Sequence, residues 1–245
     1  MTRIVCIANQ KGGVGKTTTA GNLAVGTAKS GNQSLLVDLD PQCNSTTAFG
    51  VSPGEAHPLV QQQPLHESIV QTTNKRLDLL PGSRSFNDTS QLEQSDLMSV
   101  HDHLEGGVSS YDFVFIDCPP SLGRLTEAAL TASTEVLMPI QCEYFAMEGL
   151  TQMIQVIRRV MREESNSLEF GGILLTMYDP ALQLTHEVDE EVRDFFGDIV
   201  FDTVIPRDVA VSEAPSHGLA AIDYAPRSVG ARAYIELCME VLDRE

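Results

Sequence analysis

Gln10-Lys11-Gly12-Gly13-Val14-Gly15-Lys16-Thr17-Thr18 stands between an apolar stretch, Ile4 to Ala8, and a segment of helical period, Thr17 to Lys29. A short strand, a glycine-rich turn and a helix start form a setting in which backbone N–H groups wrap a phosphate and the helix N-terminus adds its partial positive charge. Lys16 then reaches the β- and γ-phosphates, and the Thr17 hydroxyl is placed to ligate Mg²⁺. The standard pattern GxxxxGK[ST] would have Gly where this chain has Gln10, and it asks for no lysine at position 11. The loop is therefore a variant phosphate loop. Two of the four lysines of the chain fall within it, which argues against an incidental glycine turn.

Outward from the loop, further short apolar stretches occur at Leu35 to Val37, Leu77 to Leu80, Phe113 to Ile116, Val136 to Ile140, Gly172 to Thr176 and Val204 to Ile205. Segments of helical period lie between them, including Gln152 to Arg162, with Met153, Ile154, Ile157 and Met161 on one side, and Ala231 to Leu242. Strands that are apolar throughout and alternate with helices predict a mostly parallel sheet with helices on both faces. The expected class is α/β, a P-loop NTPase in a single domain over residues 1–245. Residues 50–65, rich in Pro, Gly and Gln, are expected as a surface loop within that domain, because the motifs on either side need each other.

Two strand ends carry carboxylates. Leu35-Leu36-Val37-Asp38-Leu39-Asp40-Pro41-Gln42 ends in a pair at i and i+2, which point the same way in an extended strand and would face the ligand crevice at the C-terminal sheet edge. One of the two would act on Mg²⁺ or on an attacking water. Phe113-Val114-Phe115-Ile116-Asp117 is an apolar strand with a terminal acid, the arrangement by which P-loop NTPases support the Mg²⁺ shell.

Composition excludes several classes. The chain has 245 residues, 42% of them hydrophobic, and no apolar run near membrane-span length, so a transmembrane, collagen-like or disordered protein is ruled out. With 34 acidic against 16 basic residues, the surface as a whole repels nucleic acid, so a polyanion partner needs a local basic patch. So acid-rich and lysine-poor a surface suggests adaptation to concentrated salt. Cys6, Cys43, Cys118, Cys142 and Cys238 are scattered and form neither a disulfide framework nor a CxxC pair, which fits a reducing cytoplasm. No export signal is read at the N-terminus. The six histidines, including His101 and His103, show no metal-ligand spacing, and Ser121 and Ser216 lack a nucleophile arrangement.

KGGVGKTT, DLDPQ, FIDCPPSLG, PIQCEYFAMEGL, TMYD and IPRDVAVSEAPSHG together resemble the ParA/Soj family of partition ATPases, in order and over nearly the whole chain. The resemblance implies ATP and Mg²⁺ as cofactors and a nucleotide-sandwich homodimer. In that dimer Lys11 contacts ATP across the interface, and the loop Gly12, Gly13, Val14, Gly15, Lys16, Thr17 and Thr18 holds the phosphates. It also implies that Asp40 orients the water, that Asp117 supports Mg²⁺ beside Thr17, and that Pro206 and Asp208 contact the adenine. The resemblance further implies that the ATP dimer binds nonspecific DNA, with Arg193 and Arg227 at the matching basic positions and Arg158, Arg159 and Arg162 as further candidates. It implies as well that a ParB-like or other adaptor stimulates slow hydrolysis, and that the protein works in the cytoplasm on the nucleoid.

The chain departs from the family at Cys43, commonly Gly, and at Asp208, usually Asn. It also reads Pro180-Ala181-Leu182 and Val229 where basic residues are frequent. A MinD-like ATPase acting on a membrane or protein anchor is the nearest alternative, but the acidic Glu240-Val241-Leu242-Asp243-Arg244-Glu245 does not suit a lipid-binding helix. An iron–sulfur reductase would need cysteines placed to bridge subunits. A scaffold without hydrolysis would need damage at Lys16, Asp40 or Asp117, and there is none.

Overall fold

In the computed structural model the described residues are 1–55, 57–61, 64–84, 102, 104, 106–143, 146–162 and 167–244. Seven strands form one sheet: β1 (Arg3–Ile7), β2 (Ser34–Asp38), β3 (Val70–Gln71), β4 (Leu77–Leu80), β5 (Phe113–Asp117), β6 (Glu135–Gln141) and β7 (Glu169–Thr176). Their order is β3-β4-β2-β5-β1-β6-β7, and every pairing is parallel except β3 with β4.

Strand residues alternate between two cores, because neighbouring side chains point to opposite faces. Ile4, Cys6, Leu35, Val37, Val114 and Ile116 join one cluster, and Val5, Ile7, Leu36, Phe113 and Phe115 the other. The second cluster is covered by helix α1 (Lys16–Lys29) and the helix Val229–Asp243. The first is covered by the helices Arg124–Thr131, Ala146–Met161 and Gln183–Phe196. Both faces are thus buried, which explains why the central strands read as unbroken apolar runs. Gly26 permits the close contact between α1 and the C-terminal helix, since a Cβ there would overlap the Cys238 sulfur.

Two local expectations change. Val204–Ile205 is not a strand. Phe201 N bonds Ile173 O at 2.9 Å and Ile205 N bonds Leu175 O at 2.8 Å, but the intervening amides of Asp202 and Thr203 donate to the Glu240 carboxylate, so no ladder forms along β7. The helix Ala146–Met161 buries Leu150, Met153, Ile157 and Val160, while Met161 is exposed. The edge strand β3 has only two residues, both exposed, and leaves no apolar alternation to read. Within 50–65, His57 and Leu59 are buried and Gly54 pairs with Ser83. His101 and His103 lie outside the described residues.

Candidate nucleotide site

The phosphate loop leaves β1 at the centre of the sheet, where β5 and β6 flank it. Asn9, nearly buried, anchors the exit: its Nδ2 donates to Pro139 O on β6 at 2.8 Å and its Oδ1 accepts from Lys11 N at 3.0 Å. Gly13 and Gly15 have φ of 76° and 91°, left-handed values that exclude most side chains, and Gly15 then starts α1 with its N–H groups free of any side-chain cap. The Thr176 hydroxyl lies 2.9 Å from Val14 O and 3.0 Å from Ile140 O, pinning the loop to the ends of β6 and β7.

The two loop lysines are treated oppositely. Lys16 is 6% exposed, and its Nζ donates to Lys11 O at 3.0 Å. Burial lowers its pKa, while the charges of Asp117, Cys118 and Asp40 pull it back up. The side chain of Lys11 is 40% exposed and its Nζ meets Glu143 Oε2 at 2.7 Å. One cation thus points down into the loop and the other out of it.

Asp38 and Asp117 are register partners on β2 and β5, both fully buried. Burial and the neighbouring negative charge push Asp117 up to about 7, against the hydroxyls of Ser45 and Thr17, and burial pushes Asp38 up to about 6. Asp117 Oδ2 accepts from Ser45 Oγ at 2.8 Å, but Oδ1 has no hydrogen-bond partner among the described residues. A buried carboxylate oxygen without a partner, beside a threonine hydroxyl, suits a hard divalent cation that takes few protein oxygens and completes its shell with phosphate and water.

The expectation that Asp38 and Asp40 share one strand face is corrected, because β2 stops at Asp38. Asp38 works inward. Its Oδ1 accepts from Asp40 N at 3.1 Å, and its Oδ2 accepts from Thr46 N at 2.8 Å and Thr46 Oγ1 at 2.6 Å. Thr46 Oγ1 in turn accepts from Gly82 N at 2.8 Å. The carboxylate thereby clamps both ends of the turn that carries Asp40, whose own Oδ1 accepts from Gln42 N at 2.9 Å.

Pro206 and Asp208 border a cavity of about 370 Å³ together with Gly15, Thr18, Met177 and Tyr234. Asp208 is turned to structure there: Oδ1 accepts from Ala210 N at 2.9 Å and Oδ2 from Gly230 N at 2.8 Å, so one carboxylate holds the starts of two helices. Burial pushes its pKa up, but the Gly230, Ser228 and Ala210 donors outweigh that and lower it. Thr17, Asn22, Asn44, Phe49 and Pro215 border a second cavity of about 460 Å³, which shares Thr18 and Val211 with the first.

The remaining candidates lie on the periphery. Arg193 Nε is 2.6 Å from Asp189 Oδ1, and Nη1 is 3.9 Å from Asp202. Arg159 pairs with Glu127. Arg227 is exposed and has no ion pair among the described residues.

A family model described as an AAA domain matches residues 2–170. The sporulation initiation inhibitor protein Soj of Bacillus subtilis is 44% identical, covering 98% of each chain. The chromosome partitioning protein ParA of Caulobacter vibrioides is 43% identical over 99% of this chain and 95% of its own. The chain belongs to the ParA/Soj family of partitioning ATPases. Among solved structures, cobyrinic acid a,c-diamide synthase from Mycobacterium smegmatis with bound ADP and magnesium has a TM-score of 0.84 at 32% identity, covering 99% of this chain and 94% of that one. The septum site-determining protein MinD of Pyrococcus horikoshii, complexed with Mg-ADP, has 0.82 at 27%, covering 100% and 97%.

This ParA/Soj chain is accordingly an ATPase, and the family's departures acquire physical readings. Cys43 sits at φ 53°, ψ 40°, the left-handed conformation that glycine adopts without strain and other residues adopt at about 1 kcal/mol or more. All five cysteines are buried, so among them none is presented to a second subunit for a bridging cluster. Asn9, Ser45, Thr46, Glu143 and Thr176 escaped the sequence reading. Each had a positional signal: Asn9 is one residue outside the loop, Ser45 and Thr46 come just after DLDPQ, and Glu143 and Thr176 lie within PIQCEYFAMEGL and TMYD.

Proposed function

We propose that the chain binds ATP with Mg²⁺ and pairs with a second copy around the nucleotides. The dimer binds DNA without sequence preference, and a ParB-like adaptor ends its residence by speeding hydrolysis. It would thus act on the nucleoid in the cytoplasm as a timer that positions or segregates a cargo. Residues 50–65 are taken as part of the same single domain.

The observation that carries this reading is the division between the loop lysines. Lys16, buried against the loop, serves the β- and γ-phosphates of its own subunit, while Lys11, directed outward, serves those of the partner. Phosphoryl transfer passes through a loose transition state, so positioned cations and an oriented water matter more than covalent chemistry. Mg²⁺, when bound, neutralises charge on the β- and γ-oxygens, and Thr17 and Asp117 are the residues that would hold it, with Asp40 adjacent. Asp40, on the turn clamped by Asp38, orients the attacking water. Pro206 flanks the base, and Asp208 shapes the same cavity by holding the backbone around it.

DNA contact rests on Arg227, with Arg193 as the second position. The pairing of Arg193 with Asp189, on a chain of formal net charge -18, favours one alternative: a MinD-like positioning ATPase that works on a protein or membrane anchor. The acid-rich surface is read as salt adaptation, and strong loss of ATPase activity in molar salt would count against it. Light scattering and co-sedimentation with unrelated DNA sequences, in ADP and in ATP with Mg²⁺ across a salt series, separate the readings. ATP-dependent dimers that sediment with any DNA support the DNA timer, whereas dimers that ignore DNA at every salt support the anchored alternative.

A further inference from the structure

Lys11 is held at three points. Its N–H donates to Asn9 Oδ1 at 3.0 Å, its carbonyl accepts from Lys16 Nζ at 3.0 Å, and its ammonium donates to Glu143 Oε2 at 2.7 Å. Glu143 follows the C-terminal end of β6, and its other oxygen, Oε1, accepts from the Gln141 amide of that strand. Asn9 is tied to β6 as well, through Pro139 O at 2.8 Å. The end of one strand therefore fixes Lys11 by both backbone and side chain. The two side chains of the ion pair are 40% and 44% exposed. Pairs of that kind are weak and exchange readily for a stronger anion.

An ammonium held by a carboxylate of its own chain is not available to the phosphates of a second one. We propose that Glu143 is a latch: it keeps Lys11 inside its own subunit until the nucleotide of a second copy competes for it. Glu143 thereby acts as a positioning residue that sets the concentration at which ATP-loaded chains pair. This rests on the cross-subunit role of Lys11 proposed above. A triphosphate offers several negative charges against one carboxylate, so the exchange runs towards the dimer once ATP is present. The orientation of Glu143 by Gln141 keeps the carboxylate in place to recapture Lys11 when the dimer opens.

The test measures dimerisation by light scattering, with Mg²⁺ and a non-hydrolysable ATP analogue, over a range of protein concentrations. Wild type, Glu143→Gln, Lys11→Ala and the double variant are compared. At low salt, Glu143→Gln should dimerise at a concentration about two- to fivefold lower than wild type, the range expected for an exposed pair. Molar salt should close that gap by screening. In the Lys11→Ala background, followed at concentrations high enough to see residual dimer, adding Glu143→Gln should shift nothing. Dimerisation of Glu143→Gln at the wild-type concentration or above, or an equal shift in both backgrounds, overturns the latch. Wild-type dimerisation of Lys11→Ala would overturn the cross-subunit role itself and the latch with it, so the two failures are distinguishable.

Discussion

The phosphate loop and the helix Gln183–Phe196 both carry a cation that sequence reasoning assigns to a phosphate-bearing partner, yet they present it in opposite ways. In the loop, Lys16 is buried and its ammonium rests on a backbone carbonyl, an uncharged acceptor that a phosphate displaces at little cost. On the helix, Arg193 is held by Asp189 at 2.6 Å and is followed by Asp194, with Glu187, Glu190 and Glu191 on the same helix. A DNA phosphate must there displace a carboxylate inside an acidic field. A basic residue at a matching position is thus a different chemical object according to what neutralises it at rest. Arg227, exposed and without an ion pair among the described residues, stands nearer to the loop case.

The largest effect is expected at Lys16. Lys16→Ala should weaken ATP binding at least a hundredfold, since one buried charge-assisted contact to phosphate contributes on the order of 3 kcal/mol; calorimetric titration showing unaltered affinity would remove the phosphate-loop assignment.

Next in size is the clamp beneath the loop. Asp38→Asn replaces an acceptor-only group that takes three hydrogen bonds, at a cost of about 1–3 kcal/mol in stability. Hydrolysis should fall about tenfold or more with nucleotide affinity little changed, because Asp40 loses its support and Lys16 does not. Equal losses in KM and kcat would mean that Asp38 supports the whole pocket and not the turn alone.

The buried carboxylates also set a pH signature. The folded pKa of Asp117, about 7, and of Asp38, about 6, lie above the unfolded value near 3.8. The nucleotide-free fold therefore binds protons that the unfolded chain has released, and the contribution of these groups is full below about pH 4 and lost as pH rises through 6 to 7. Differential scanning calorimetry should show the wild-type Tm falling more steeply over that interval than the Tm of Asp117→Asn. Parallel profiles would mean that Asp117 titrates normally.

The smallest effects sharpen the contrast between the cations directly. Arg227→Glu should weaken DNA binding and reduce the salt slope by about one, as for one lost phosphate contact. Asp189→Asn, which frees Arg193, should strengthen DNA binding several-fold at matched salt. If Asp189→Asn leaves DNA affinity unchanged, Arg193 faces no phosphate even when released.

What could be read from the sequence follows from the range of the interactions involved. The loop, the apolar strands and Asp117 are local patterns whose residues fold next to one another, and they were legible as such. The role of Asp38 was not, because it depends on Thr46 and Gly82, and because β2 ends two residues earlier than an i, i+2 argument assumes. Val204–Ile205 has strand composition, yet Glu240, on the C-terminal helix, takes the amides that a ladder needs. Glu143 meets Lys11 across more than half the length of the chain, and only the three-dimensional neighbourhood of β1 and β6 joins them.

Light scattering of the wild type and of Lys11→Ala, each with Mg²⁺ and a non-hydrolysable ATP analogue, decides whether Lys11 serves the nucleotide of a second copy. The wild type should double its mass while Lys11→Ala stays near monomer mass and still binds the nucleotide. A wild type that remains monomeric at every concentration, or a Lys11→Ala protein that doubles alongside it, would rule out the cross-subunit role of Lys11.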